Sequence, residues 1–188
     1  TANRSFTSSL LNEFIENFKG WEKRRLGSNG LFWQHAGADG MEHGIGGDGY
    51  RPTINSYMFG EAQAISRIAE MAGNENLTSR YKERAKRLRK LIHQHLWDPE
   101  DKFFKVLPRN DYSLVDVREL IGYCPWYFNL PPERKGYEHA WQAVMDPKAF
   151  YAPYGLTTAD QRDPEFEIPY DDTGCAWGGP SWPYSTSF

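Results

Sequence analysis

Two acids in the short run Asp39-Gly40-Met41-Glu42 are the residues of this chain best suited to acid–base chemistry. They lie in a stretch, Leu31 to Tyr57, that shows neither the period of a strand nor that of a helix. The stretch reads as an ordered loop that presents side chains, and long structured loops inside compact domains usually carry function. Trp33, Met41, Tyr50 and Tyr57 are expected to ring Glu42. An apolar surround favours the protonated form of a carboxylic acid, which is where a general acid starts. Cleaving a glycosidic bond needs such an acid to protonate the leaving oxygen, and a second carboxylate across the sugar. The competing reading gives Asp39 to a turn cap and leaves Glu42 solvated.

Other side chains around the acids extend the candidate site. Arg51 either orients a carboxylate or a substrate oxygen, or pairs with Asp48 on the surface. Asn55, one turn into the next helix, either donates to sugar hydroxyls or caps that helix. Trp33, Gln34 and Tyr57 are the remaining candidate contacts in the loop, and Trp126, Tyr154, Trp177 and Trp182 are candidates from downstream segments. Aromatics next to Gly, Pro, Asn and Asp stack well on flat ligand faces, sugar rings among them; the alternative is a well-filled core.

Several chemistries lack their signatures. There is no GxSxG, HExxH, P-loop or dinucleotide fingerprint, and the glycines of Gly44 to Gly49 precede no phosphate-binding lysine. No cofactor is expected. The two cysteines, Cys124 and Cys175, are far apart with no metal-type spacing, so two free thiols are expected rather than a disulfide. No Asp-rich calcium loop and no shared histidine metal site is expected, since His93 and His95 face different sides of a helix.

The elements that must position these groups are mainly helices. Ser8 to Lys19 carries Leu10, Leu11, Phe14, Ile15 and Phe18 on one face, with Gly20 as its C-terminal cap and Trp21 to Asn29 as a polar connector. A second helix is expected from Thr53 to Ala72, ended by Gly73, and a third from Asn76 to Trp97. The third has a basic face, Arg80 to Lys90. Interleaved Glu83 and a net charge of -3 make this a solvated outer face rather than a nucleic-acid surface. Asp98 to Asp101 reads as a turn into a short strand, Lys102 to Val106, half of a small hairpin. Val115 to Ile121 reads as the start of a helix that Gly122 to Tyr127 breaks, Gly136 to Met145 as a short helix, and everything from Asp146 as loop. At 188 residues the chain has room for one domain with a sizeable core. No apolar run is long enough to span a bilayer, and the compartment is not legible, with an extracellular or periplasmic setting favoured only by a glycan-degrading role. Both ends look cut, so a piece of a longer chain is expected.

ADGMEHG followed by RPTINSYMFGEAQAISRIAEMAG resembles the first catalytic segment of the six-hairpin glycosidases, more narrowly the glycoside hydrolase family 63 and mannosylglycerate-hydrolase-like group. LWDPEDKFFKV is similar to their helix-to-hairpin step, and WGGPSWPYSTS looks like the segment that lines their sugar pocket. The resemblance implies an all-α fold that is part of an (α/α)6 toroid, with a small β-hairpin and long aromatic and glycine-rich loops. It implies an inverting, exo-acting glycoside hydrolase with Glu42 as general acid, where those relatives carry Asp. Trp177, Gly179, Pro180 and Trp182 become pocket wall. The general base is expected beyond the C-terminus, with the two carboxyls roughly 6.5–9.5 Å apart in the complete site. The expected partners are a carbohydrate substrate and the remainder of the toroid, with no nucleic acid and no membrane insertion; this piece alone would turn over little. The other reading kept open is a carbohydrate-binding or structural toroid piece without catalysis.

Overall fold

A computed structural model describes residues 4–111, 113–133, 136–168 and 176–187. Its centre is a pair of long helices, α3 (Pro52–Met71) and α4 (Glu75–His95), with α1 (Arg4–Ser9) and α2 (Leu11–Arg25) packed beside them. The spacing of apolar residues explains each packing face. In α4, Tyr81, Ala85, Leu88 and Ile92 are buried on one stripe, and Asn74 caps the start by accepting from the Leu77 amide at 3.0 Å. In α3 even Thr53, Asn55 and Ser56 are buried, so this helix runs through the interior at its N-terminal end. Pro52 suits its first turn, where no amide donor is needed. Gly73 follows it with a φ of +74°, as expected for a helix-ending glycine.

Some local expectations need correction. Gly20 does not end its helix: α2 continues to Arg25, because Trp21 packs against the same core as Leu11, Ile15 and Phe18. That packing outweighs the cost of about 1 kcal/mol for a mid-helix glycine. Val115 to Ile121 is not the start of a helix. Glu119 is extended, and the helical turns come later, at Leu120–Tyr123 (3₁₀) and α5 (Cys124–Tyr127), where Gly122 lies against Phe103 with no room for a side chain. Tyr137–Met145 is a 3₁₀ run, and its three-residue period buries Ala140 and Ala143 while Trp141 is left exposed.

Two small antiparallel hairpins complete the described chain. β1 (Trp97–Asp98) pairs with β2 (Phe103–Phe104), Trp97 opposite Phe104. Lys105 locks this turn by bonding both Asp98, at 2.9 Å, and Asp101. The second hairpin, β3 (Tyr151–Ala152) with β4 (Gly155–Leu156), lies in a region expected to be all loop. A final turn, α6, spans Pro183–Thr186. Among the described residues, no helix is long and apolar enough to cross a membrane. The basic side of α4 is only partly solvated: Arg84 pairs with Glu22 at 2.5 Å, and Arg89 donates to the Asn129 carbonyl while lying over Phe59.

Candidate active site

The loop ahead of α3 is held by a buried ion pair. Arg51, 0 % exposed at the N-terminus of the helix, donates from Nε to Asp39 at 2.7 Å. Its other nitrogens reach the Gly47 carbonyl and the Met41 sulfur. Asp39, 4 % exposed, also accepts from the Thr53 hydroxyl. One guanidinium thus ties together the residues on either side of Glu42, in the fork geometry that suits Arg and not Lys. The surface pairing of Arg51 with Asp48 does not occur. Asp48 bonds His35 at 2.5 Å and the Ala36 amide at 2.8 Å, and these contacts, His35 first, hold its carboxyl below the ordinary range.

Asn55 directs its side chain to the backbone. It accepts from the Phe32 amide and donates to the carbonyls of Phe32 and Arg51, all within 2.9 Å. It therefore clamps the start of the loop to α3, and neither capping nor sugar contact describes its contacts here. Trp33 is flanked by guanidinium groups, Arg25 at 4.1 Å and Arg109 at 3.9 Å from the ring centre, so cations occupy the ring face expected for a sugar. Tyr50 belongs to the main core, and Tyr57 packs edge-on against Phe128. Trp126 contacts Phe104, Tyr123 and Trp141 within an inner aromatic cluster. Tyr154, 99 % exposed at the tip of the second hairpin, is not drawn into this cluster.

What does meet Glu42 comes from the far end of the chain. The Trp177 amide donates to the Glu42 carbonyl at 3.0 Å. The Trp177 ring, 5 % exposed, packs with Met41, Val106 and Ile121 and stacks on Trp182 at 5.3 Å and 12°. Trp182 donates its indole N–H to the Ala176 carbonyl at 2.8 Å. The Glu42 side chain is half-buried beside Gly37, and its Oε2 is enclosed with no hydrogen-bond partner among the described residues.

Next to this loop is a cleft of about 400 Å³ lined by Trp21, Gln34, Asp39, Tyr57 and Glu61, among others. Gln34 is only 6 % exposed and its Oε1 has no partner among the described residues. Glu61 accepts from Asn17 at 2.8 Å, and burial pushes its carboxyl pKa upward against that bond. Sequence reasoning misses Glu61, because within the regular pattern of α3 it is an ordinary polar position. A second missed acid, Glu119, is buried against the glycine run that follows Glu42. Cys124 is buried, and burial pushes the pKa of its thiol up to about 12. The question of its pairing with Cys175 falls outside the described residues.

The helical hairpins and aromatic loops define a piece of an (α/α)6 toroid of the glycosidase kind. The chain belongs to the mannosylglycerate hydrolase MGH1-like glycoside hydrolase domain family, whose model matches residues 1–188. It is similar to a solved sialidase chain, with 42 % identity and a TM-score of 0.92, covering 99 % of this chain and 17 % of that one. It also resembles the GH63 mannosylglycerate hydrolase from Thermus thermophilus, solved in complex with glucose. That match has 15 % identity and a TM-score of 0.78, covering 97 % of this chain and 54 % of that one, and it shows the fold alone. A Borreliella burgdorferi protein described as uncharacterized is 26 % identical over 134 residues, 71 % of this chain and 28 % of that protein. The chain thus spans only part of each of these relatives. The family that the chain belongs to is one of glycoside hydrolase domains.

Proposed function

We propose that the Asp39–Glu42 loop is the acid half of an inverting glycoside hydrolase site, with Glu42 protonating the leaving oxygen of a terminal sugar. The observation that carries this reading is the bond from the Trp177 amide to the Glu42 carbonyl, which sets the Trp177–Trp182 wall against the acid-bearing loop. Arg51 and Asp39 pair with one another and hold the loop from behind, while the Oε2 of Glu42, the other acid of the Asp39–Glu42 run, has no hydrogen-bond partner among the described residues. Gln34, Tyr57 and Glu61 supply donors and acceptors for hydroxyl groups along the adjoining cleft. The carboxylate that activates water on the opposite face belongs to another segment of the whole protein. Inversion requires that segment to lie roughly 6.5–9.5 Å from Glu42.

Glu42→Gln in the full-length protein tests the reading. Loss of general acid catalysis lowers turnover of an unactivated alkyl glycoside by about 10²–10⁴-fold. Substrate binding, measured by calorimetry on the variant, is expected to persist. Turnover within a few-fold of the parent would remove Glu42 from the chemistry, and a product of retained anomeric configuration by NMR would refute inversion.

A further inference from the structure

The glycine run Gly44 to Gly47 precedes no phosphate-binding lysine and yet needs its glycines, and the reason is a side chain from a distant segment. Glu119 lies in extended backbone just before the 3₁₀ turn at Leu120 and is held there by a bridge to Ala159. It is 6 % exposed. Its carboxyl straddles the glycine turn. A Cβ on Gly44 would lie 2.9 Å from Oε1, and a Cβ on Gly46 would collide with Oε2. A Cβ on Gly46 would also come within 3.1 Å of Val106.

The turn that Glu119 braces is the one that carries Glu42. The Gly44 amide donates to the Met41 carbonyl at 3.2 Å, closing the turn around Glu42, and the Gly47 amide then donates to the Gly44 carbonyl at 3.1 Å. Behind the turn, Met41 packs with Val106, Ile121 and Trp177, and Ile121 is two residues from Glu119 on the same segment.

This carboxyl is costly where it sits. Burial pushes its pKa up from the ordinary glutamate value, against the pull of the Arg51 charge and the Gly46 amide; Asp39 and Asp163 add to the push. Its Oε2 has no hydrogen-bond partner among the described residues. An enclosed polar oxygen without a partner costs stability, and an apolar side chain of similar size would avoid that cost. A forked polar group kept at such a place points to a job done by its shape and position.

We infer that Glu119 is a positioning residue for Glu42: its carboxyl fork seats the Gly44–Gly46 turn and thereby sets where the acid stands. The inference rests on the reading of Glu42 given above. It assigns Glu119 no contact with substrate, since the side chain is enclosed.

The test uses the full-length protein and two substrates bearing whichever sugar it cleaves as an aryl glycoside. One is an alkyl glycoside, whose leaving group needs a proton. The other is a glycosyl fluoride, whose leaving group does not. Glu42→Gln is the benchmark and is expected to depress the alkyl glycoside selectively. Glu119→Ala is expected to lower kcat on the alkyl glycoside by about tenfold to a hundredfold, the usual consequence of misplacing a reacting group. Its KM and its fluoride turnover should change by no more than about twofold on the same reasoning. Glu119→Gln keeps the fork and should recover most of the loss. Gly46→Ala should behave like Glu119→Ala alone, yet cost little more when combined with it, because the obstructed fork is then gone. If Glu119→Ala does not fold, Glu119→Met keeps the volume without the fork and carries the same expectations.

Equal losses on both substrates, or no recovery with Gln, would overturn the inference and leave Glu119 a purely structural residue. If Glu42→Gln discriminates between the substrates and Glu119→Ala does not, the positioning role fails alone. If Glu42→Gln treats both substrates alike, the reading of Glu42 fails and the inference goes with it.

Discussion

The α3–α4 pair and the loop before it are held together by different physics. Between the helices the contacts are mainly apolar: Ile65, Ala69, Tyr81 and Ile92 are fully buried, and the Ser66 hydroxyl adds a bond to the Thr78 carbonyl at 2.9 Å. Such contacts are numerous, individually weak and insensitive to direction. The loop instead relies on a few directional groups, namely the Arg51–Asp39 pair, the Asn55 clamp on Phe32, the Glu119 fork and the Trp177 amide. The helical region should therefore tolerate rearranged volume, while the loop should fail when one polar atom is removed.

The largest effect is expected at Arg51. Arg51→Ala leaves Asp39 charged and buried without its partner, and urea denaturation should show a loss of about 3–5 kcal/mol. A loss below about 1 kcal/mol, the range of an exposed pair, would place the ion pair in the same class as surface charges.

Glu119 sharpens the contrast through pH. Its folded pKa is raised, so the folded state holds this proton more tightly than the unfolded chain. The stability it contributes is fully present below the ordinary glutamate value of 4.5 and is lost as pH rises through the raised folded value. Glu119→Gln cannot titrate, so the difference in Tm between parent and variant should shift in the variant's favour as pH rises above 4.5. A difference that stays constant across that range would show that the carboxyl is not enclosed.

In the helical pair, Ile65→Leu conserves volume and should cost less than about 1.5 kcal/mol by the same denaturation measurement. The smallest effect belongs to the half-exposed His35–Asp48 pair. Asp48→Asn should change stability by no more than about 1 kcal/mol near neutrality. The lowered carboxyl makes that contribution present above the ordinary aspartate value of 3.8 and lost as pH falls.

The same division explains what can be read from sequence. Tyr81, Ala85, Leu88 and Ile92 repeat on one helical stripe, and a periodic pattern belongs to a single segment, so α3 and α4 are legible to within a residue or two. Arg51 stands out in the sequence but its partner does not, because Asp39 and Asp48 are both acids within a dozen positions and only the backbone path decides between them. Glu119 is invisible for a further reason. Glu119, one of two acids between Val115 and Ile121, and the glycine cluster each look ordinary until the fold sets them in contact. Asn55 invites a reading for its donors, and those donors go to Phe32 and Arg51, a long-range demand that no local pattern records. The resemblance, by contrast, picks out both Glu42 and Trp177, and the structure joins them through a backbone bond.

That junction has a consequence for the order in which the molecule assembles. The α3–α4 pair is closed by a short turn and can form as soon as both helices exist, because its contacts are near in sequence. The contact from Trp177 to Glu42 spans most of the described chain and must meet the entropy of closing that long loop. During synthesis the helices emerge and pack well before residue 177 leaves the ribosome. The acid-bearing loop therefore acquires its final shape late, on a scaffold that is already folded.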